Sequence, residues 1–382
     1  MTTDAGFRVT FEWKGQVFTR KILTENSFPP PKTVLVVDDT FSAQDFIKKA
    51  SQGTSFVWKG DFHNSKQLLQ AVQRRLDPPQ FKADPSDPKS MAKEFYRYRQ
   101  HQAHKAHLLS RLLIEVSSDF VIDLPRAPDF RLPLQEALVS ADEPFLVSLR
   151  ELQGFVGAHE WRKKGVAIEG LNNEKIHAHF GVFSPVRGEY LDLVAQAPLP
   201  PGARKAFEIG VGTGVISALL VRRGLEVVVA TDIDPRALSC AKENLTRLNF
   251  ISKVQLIQTS LFPEGKADLI VCNPPWLPSK PTSQVERAVY DDGSQMLRGF
   301  LTGLKEHLFP EGEAWLILSD LAERLGLRGP TELETWIEQS HLQIIECLKI
   351  LPIHPKAHDE GDSLYQARSQ EVTKLFRLKL KN

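Results

Sequence analysis

Apolar residues along this chain occur in short runs that alternate with segments of helical period. From residue 33, TVLVV precedes SAQDFIKKASQG, and TSFVW precedes NSKQLLQAVQRRL, which predicts two strands each followed by a helix. From residue 204 the alternation is regular, and its strands are apolar nearly throughout, which predicts a parallel sheet covered on both faces. Predicted strands there span 204–210, 226–232, 253–260, 267–273 and 313–320, and predicted helices span 215–224, 235–248 and 295–308.

The length of 382 residues favours two domains, because a single hydrophobic core rarely grows that large. The segment 77–88, DPPQFKADPSDP, has prolines and aspartates at a spacing that interrupts regular structure, and it is predicted to be a linker. A helix is predicted from Lys89 to about Leu113, and GVAIEG and KIHAHFGVF are candidate strands. We expect an N-terminal α/β domain over 1–178, serving substrate recognition, and a second domain over 179–382.

Composition places the chain among soluble enzymes of the cytoplasm. No apolar run approaches the roughly 20 residues that span a bilayer, and MTTDAGFRVTFEW lacks the regions of a signal peptide. The three cysteines have no metal-binding spacing, so reduced structural thiols are expected. A net charge of +1 neither demands nor excludes a nucleic-acid partner.

A glycine-rich turn follows the first strand of the second domain. The sequence EIGVGTG, 208–214, leads directly into a helix, an arrangement that lets a ligand approach bare backbone at the helix N-terminus. The dinucleotide fingerprint GxGxxG would need a third glycine where Val215 stands. The spacing GxGxG, with Asp232 ending the next strand, resembles class I S-adenosylmethionine-dependent methyltransferases, in which such a carboxylate accepts both ribose hydroxyls.

The fourth strand of this domain ends on Asn273-Pro274-Pro275-Trp276. This run resembles the motif of methyltransferases that act on planar nitrogens: Asp, Asn or Ser, then two prolines, then Tyr, Phe or Trp. The lone pair of a planar amine is delocalised, so the amine is a poor nucleophile. The Asn273 side-chain oxygen and the Pro274 carbonyl can each accept one amine N–H, with the prolines fixing the backbone and Trp276 stacking on the substrate.

The resemblance to this methyltransferase small group, about residues 180 to 382, implies a Rossmann-like domain: a mostly parallel sheet with an antiparallel last strand. S-adenosylmethionine is the implied cofactor. Ser260 stands where the family usually has an aspartate for the adenine amino group, and Leu261 can offer its backbone N–H instead. The implied catalytic residues are Asn273, Pro274, Pro275 and Trp276. The implied cofactor residues are Phe183, Pro185, Glu208, Gly210, Gly212, Gly214, Asp232, Ile233, Ser260, Leu261 and Asn273.

The motif is shared by enzymes of adenine N6, guanine N2 and protein glutamine N5, so the N-terminal domain has to discriminate among substrates. Its predicted helix carries one acid, Glu94, and interleaves aromatic residues with basic ones, as RNA binding would require. A solvated charged face is the equal alternative. The basic residues are Lys89, Lys93, Arg97, Arg99, Lys105 and Arg111.

A glycine-poor α/β domain before the catalytic one also resembles the ribosomal RNA guanine N2-methyltransferases, whose first domain is a methyltransferase fold without a cofactor site. We therefore expect RNA, ribosomal above all, as the substrate, bound in part by Arg97, Arg99, Lys105 and Trp276. A protein glutamine substrate and a non-catalytic RNA-binding role stay open. The histidines 101, 104 and 107 share a helix face, but no carboxylate or cysteine joins them, so no metal is expected.

Overall fold

The predicted alternation of strands and helices is present in both parts of the chain. The computed structural model describes residues 7–26, 28–76, 82–84, 86–138, 140–186, 188–281, 285–353, 359 and 361–381. The described residues divide into two compact units, one drawn from 1–80 and 96–160, the other from 81–95 and 161–382. This division differs from the predicted boundary at 178, because the short strands after residue 165 belong with the second unit. The predicted linker lies partly outside the described residues.

The first unit contains a six-stranded sheet in the order β1-β2-β6-β5-β4-β3. β3, β4 and β5 are parallel neighbours, whereas β6 runs antiparallel to β5, and β1 and β2 form an antiparallel hairpin. The elements of this unit, of which α3 and α5 continue into the second unit, are β1 Phe7–Trp13, β2 Gln16–Leu23, β3 Thr33–Val37, α1 Ala43–Ala50, β4 Thr54–Trp58, α2 Phe62–Arg75, α3 Pro88–Leu109, β5 Leu112–Val116, α4 Arg131–Leu138, β6 Phe145–Ser148 and α5 Leu149–Lys164.

Two expectations for this unit are wrong. The predicted helix does not reach Leu113, because Leu112 and Leu113 begin the buried strand β5, whose pairing with β4 outweighs the helical period. Arg111, counted among the basic residues of the helix face, is 5% exposed, so it lies in the interior and is not available to an RNA phosphate. The pattern of apolar residues did not separate the end of the helix from the start of the strand.

The strand order of the first unit differs from that expected of a degenerate methyltransferase domain. A doubly wound sheet reverses its direction of growth at one point, with consecutive strands added first on one side and then on the other. In the first unit β3, β4, β5 and β6 follow one another in the sheet without such a reversal. The first unit therefore does not repeat the topology of the second.

The second unit contains a seven-stranded sheet in the order β11-β10-β9-β12-β13-β15-β14. Its first five strands in sequence are parallel, and β15 runs antiparallel to both of its neighbours, which confirms the Rossmann-like methyltransferase topology. The elements are β7 Val166–Ile168, β8 Glu174–Ile176, α6 Glu189–Gln196, β9 Lys205–Ile209, α7 Val215–Arg222, β10 Val227–Asp232, α8 Pro235–Arg247, β11 Val254–Gln258, β12 Ala267–Cys272, α9 Gln295–His307, β13 Leu308–Ser319, α10 Leu321–Arg324, α11 Glu332–Gln339, β14 Leu342–Ile350, α12 Tyr365–Arg368 and β15 Thr373–Leu380.

Two hydrophobic clusters cover the faces of this sheet. One face buries residues of α6, α7 and α8, and the other buries residues of α9 and α11. The central strands β9 and β12 are buried nearly throughout, as a sheet covered on both sides requires.

None of the described helices is both long and apolar enough to cross a bilayer.

A buried ion pair joins β13 to β15. Glu313 is 2% exposed, and its two carboxylate oxygens accept hydrogen bonds from Arg377 Nε at 2.9 Å and Nη2 at 3.0 Å. The guanidinium of Arg377 also contacts Glu346, which is half exposed. Because both oxygens of a buried carboxylate are used, removal of its charge leaves Arg377 incompletely compensated.

Glu313→Gln should lower the free energy of unfolding by about 3 kcal/mol, since it breaks a buried pair by removing one partner. Glu346→Gln is the matched control and should cost less than about 1 kcal/mol, because its carboxylate is exposed to water. Urea denaturation of both variants measures the two values. Equal losses in the two variants would contradict the assignment.

Candidate active site

The carboxyl ends of three neighbouring strands meet at one edge of the second sheet. Ile209 of β9 lies opposite Cys272 of β12 on one side and opposite Thr231 of β10 on the other. The next residue along each strand is therefore Gly210, Asn273 or Asp232. This is the point at which the sheet reverses its direction of growth, where ligands of open α/β sheets bind.

The glycine turn adopts a backbone conformation that other residues rarely take. Gly210, Gly212 and Gly214 have φ angles of +80°, +50° and +80°. The N–H groups of Gly210 and Val211 both donate to the Thr231 carbonyl, at 2.9 and 2.8 Å, so the end of β10 fixes the turn. The left-handed Gly214 then leads directly into α7.

Asp232 braces the same turn from the end of β10. Its carboxylate accepts hydrogen bonds from the Gly212 N–H at 3.1 Å and from the Asp234 N–H at 3.0 Å. Burial raises the pKa of Asp232 despite these bonds. Two bonds leave the carboxylate with further acceptor capacity, as the ribose contact predicted for it would require.

Glu208 lies beneath the turn and is 1% exposed. Its carboxyl group contacts Ser217 of α7 through both the backbone N–H, at 2.8 Å, and the hydroxyl. Burial raises its pKa to about 8, an effect that the bonds from Ser217 only partly offset. Its described partners therefore tie β9 to α7, and the cofactor contact predicted for Glu208 remains a prediction.

Space and exposed apolar groups adjoin the turn. A Cβ at Gly212 would meet no heavy atom within 4 Å, and Ile233, directly after Asp232, is 60% exposed. Phe183 is 42% exposed, whereas Pro185 is buried. An open glycine backbone beside a carboxylate and an exposed isoleucine fits a nucleoside, because the carboxylate can accept the ribose hydroxyls and the isoleucine can pack against the face of the base.

The segment after β11 carries the two residues predicted to face the adenine ring. Ser260 is exposed, so its hydroxyl is accessible, although it lacks the charge of an aspartate. Leu261 has a φ of +60°, and its carbonyl accepts a bond from the Thr231 hydroxyl at 2.6 Å. Thr231 thus fixes this segment, a role that the sequence pattern did not reveal.

The Asn-Pro-Pro-Trp segment leaves the edge of the sheet beside the glycine turn. The indole N–H of Trp276 donates to Asn273 Oδ1 at 2.9 Å, and both side chains are half-buried. Among the described residues none donates a hydrogen bond to the Pro274 carbonyl oxygen. The next residue, Leu277, is buried and pairs with 289–291: its N–H donates to the Val289 carbonyl, and its carbonyl accepts from the Asp291 N–H.

Asp291 and Met296 were not among the predicted site residues. The carboxylate of Asp291 accepts bonds from the N–H groups of Met296 and Leu297, so it caps α9 while its own backbone holds Leu277. A Cβ at Gly210 would lie 3.0 Å from Met296 Cε, which places this side chain beside the turn. An acid shortly before a helix is the sequence signal that could have identified Asp291.

Asn244 is a second residue that sequence reasoning missed. It is buried on α8, and its amide nitrogen donates to the carbonyls of Thr213 and His177, at 3.2 and 3.0 Å. Its amide oxygen accepts from the His177 N–H at 2.9 Å. Asn244 therefore links the glycine turn to the segment that leads to Phe183 and Pro185.

Of the residues predicted to bind RNA, Arg97, Arg99 and Lys105 lie on α3 in the first unit, whereas Trp276 follows β12 in the second. Arg97 is exposed, whereas Arg99 and Lys105 are half-buried. Burial lowers the pKa of both His101 and His107.

One edge of the second sheet brings together seven of the predicted site residues: Gly210, Gly212, Gly214, Asp232, Ile233, Asn273 and Trp276.

Comparison with known proteins decides the family. The model of the methyltransferase small domain matches residues 173–325. A Methanocaldococcus jannaschii protein, named as a candidate protein N5-glutamine methyltransferase, is 31% identical over 164 residues, which cover 41% of this chain and 80% of that protein. The chain belongs to the methyltransferase small family. It is an S-adenosylmethionine-dependent N-methyltransferase.

A further relative and a solved structure are also similar to this chain. The tRNA1(Val) (adenine(37)-N6)-methyltransferase of Shewanella loihica is 31% identical over 152 residues, 37% of this chain and 61% of the relative. Among solved structures, the ribosomal protein L11 methylase of Lactobacillus delbrueckii subsp. bulgaricus has 20% identity and a TM-score of 0.38, covering 55% of this chain and 87% of that one. The family assignment rests on the sequence matches.

When bound, S-adenosylmethionine supplies an electrophilic methyl group on a positively charged sulfur. The glycine turn, Asp232 and Ile233 fit its adenosine part, as their open backbone, carboxylate and exposed apolar face indicate. Asn273 lies at the carboxyl end of the strand beside the turn. The methyl acceptor is therefore expected between these two elements.

Glu208→Gln should remove a pH dependence of stability. The ordinary pKa of a glutamate is 4.5, and in the folded protein burial raises that of Glu208 to about 8. The contribution of the neutral carboxyl group is therefore complete below about pH 4.5 and is lost as the pH rises to about 8. Urea denaturation at pH 5, 6.5 and 8 should show a decline in the parent that is smaller in the variant; parallel profiles would contradict this account.

Two glycine variants should separate cofactor binding from folding. Gly212→Ala projects a methyl group into open space, so it should lower affinity for S-adenosylhomocysteine at least about tenfold, with a stability loss of about 1–2 kcal/mol from the left-handed backbone. Gly214→Ala, whose Cβ would lie 3.2 Å from Ala241 Cα and Cβ, should lose more stability. Calorimetric titration and thermal unfolding measure both effects. Normal affinity in Gly212→Ala would overturn the placement of the cofactor.

Proposed function

We propose that this enzyme methylates the exocyclic amine of a base in a structured RNA, ribosomal or transfer RNA. The observation that carries the proposal is the position of the Asn273 amide oxygen, at the end of β12 beside the glycine turn. An acceptor in this position can take a hydrogen bond from a planar NH2 group of the substrate while that group faces the sulfonium methyl. The catalytic residues proposed are Asn273, Pro274, Pro275 and Trp276.

The proposed chemistry depends on positioning. The Asn273 oxygen has two lone pairs, of which the indole of Trp276 uses one, so the other can accept one substrate N–H. The Pro274 carbonyl can accept the second N–H. Two acceptors so placed favour a pyramidal nitrogen whose lone pair points at the methyl group. No strong base is required, because the amine proton becomes acidic as the new N–C bond forms.

Two further observations support RNA. Relatives from Shewanella and Bacteroides species are named as tRNA adenine N6-methyltransferases. The family match begins at residue 173, so the first unit is additional to it, and α3 carries Tyr96 and Arg97 exposed. We assign substrate recognition, predicted for 1–178, to the first unit, and catalysis, predicted for 179–382, to the second unit. A base held in a helix would have to leave its stack to reach Asn273.

A protein glutamine substrate is the second candidate, because the Methanocaldococcus jannaschii relative is named for that activity. The side-chain amide of glutamine is also planar and carries two N–H groups. The same pair of acceptors would serve it.

Purified enzyme with radiolabelled S-adenosylmethionine should label RNA from cells lacking this gene, with ribosomal and transfer fractions tested separately. Asn273→Ala should lower transfer at least about 100-fold, as loss of a preorganised hydrogen-bonding group does, and should lower cofactor affinity far less than it lowers transfer. Replacement of Arg97 and Arg99 by Gln should weaken RNA binding and flatten its salt dependence without changing cofactor affinity.

Three outcomes would contradict parts of the proposal. Label in a release factor or ribosomal protein, with none in RNA, would favour the glutamine substrate. Full transfer by Asn273→Ala would remove the acceptor role. Absence of transfer to any RNA or protein, beside intact RNA binding, would favour a binding protein.

A further inference from the structure

Trp276 is held at the edge of the second sheet by apolar packing. Its half-buried ring contacts both hydrophobic clusters, the one beneath α7 and α8 and the one beneath α9. Its indole N–H points to Asn273 Oδ1 at 2.9 Å. The ring is therefore held in place by its neighbours, and its indole nitrogen faces the amide of Asn273.

The amide of Asn273 has two ends of nearly equal size and opposite hydrogen-bonding character. Rotation by half a turn exchanges the acceptor oxygen for an NH2 group, which has two donors and cannot accept a bond from the substrate amine. Sterics distinguish the two orientations poorly. The neighbouring hydrogen-bonding group has to select between them.

We infer that Trp276 is a positioning residue, which fixes the Asn273 amide in the orientation whose oxygen can accept the substrate N–H. An indole N–H is only a donor, so it pairs with the oxygen end and repels the NH2 end. The inference rests on the proposed function, because it concerns how Asn273 is held for that reaction.

The other residue types of this motif position cannot impose the same selection. Phenylalanine has no polar atom, and a tyrosine hydroxyl both donates and accepts, so it can pair with either end of an amide. Trp276 also leaves one lone pair of the oxygen for the substrate. The backbone beyond it is fixed by the pairing of Leu277 with Val289 and Asp291, so the amide rotation is the freedom that the indole removes.

Trp276→Phe tests the inference, since it keeps an aromatic ring and removes the donor. The single-turnover rate of methyl transfer to RNA from cells lacking this gene should fall about tenfold, with cofactor affinity within about twofold. In an Asn273→Ala background the same change should have no further effect, because the amide on which it acts is absent. Trp336→Phe, a half-buried tryptophan on α11, is the matched control and should retain the parental rate.

A spectroscopic measurement tests the bond without substrate. In ¹⁵N-labelled protein the indole resonance of Trp276, assigned by its loss in Trp276→Phe, should move upfield in Asn273→Ala. A resonance that stays in place would overturn the inference. So would a rate loss from Trp276→Phe that is equally large in the Asn273→Ala background, since this would mean that the ring acts by stacking or packing.

The two proposals fail in different ways. Full transfer by Asn273→Ala would remove the acceptor role of Asn273 from the proposed function. The indole resonance would then still decide whether Trp276 orients the amide. An unchanged transfer rate in Trp276→Phe, beside a large loss in Asn273→Ala, would overturn the positioning role alone.

Discussion

The pairing of β9 with β12, with Ile209 opposite Cys272, is the constraint on which the active site depends. It places the glycine turn and Asn273 side by side at one edge of the sheet, although 58 residues lie between Gly214 and Asn273 in the sequence. A slip by one residue would turn every side chain of β12 to the other face. Burial of both strands on both faces makes that slip costly, so packing in the core fixes the register that places Asn273 beside the glycine turn.

Backbone groups around this edge are held by side chains from elements other than their own. Thr231 bonds to the loop after β11, and Asp232 and Asn244 both bond to the loop after β9. Asp291 caps the start of α9. A loop bonded in this way keeps its shape before a ligand arrives, so less ordering has to occur on binding. Catalysis by positioning needs such order, because small displacements of the reacting groups change the rate.

Local patterns were sufficient for much of the second unit. Its strands and helices from β9 to β13 are periodic, and the predicted spans agree with the structure within two residues, except that β13 begins at Leu308 and not at 313. Leu112 and Leu113 were misassigned because an apolar run fits the end of a helix as well as the start of a strand. The motif residues could be identified by resemblance, but the indole bond between Trp276 and Asn273 could not, because side-chain direction is set by tertiary packing.

The uninterrupted succession of β3, β4, β5 and β6 in the first sheet has a consequence for the origin of the chain. Duplication of one ancestral module would leave two sheets with the same winding, and these two are wound differently. This difference argues against duplication as the origin of the first unit. Because the two sheets share no strand, the strand order that forms the transferase site does not depend on the first sheet, and the same core can be joined to a different companion unit.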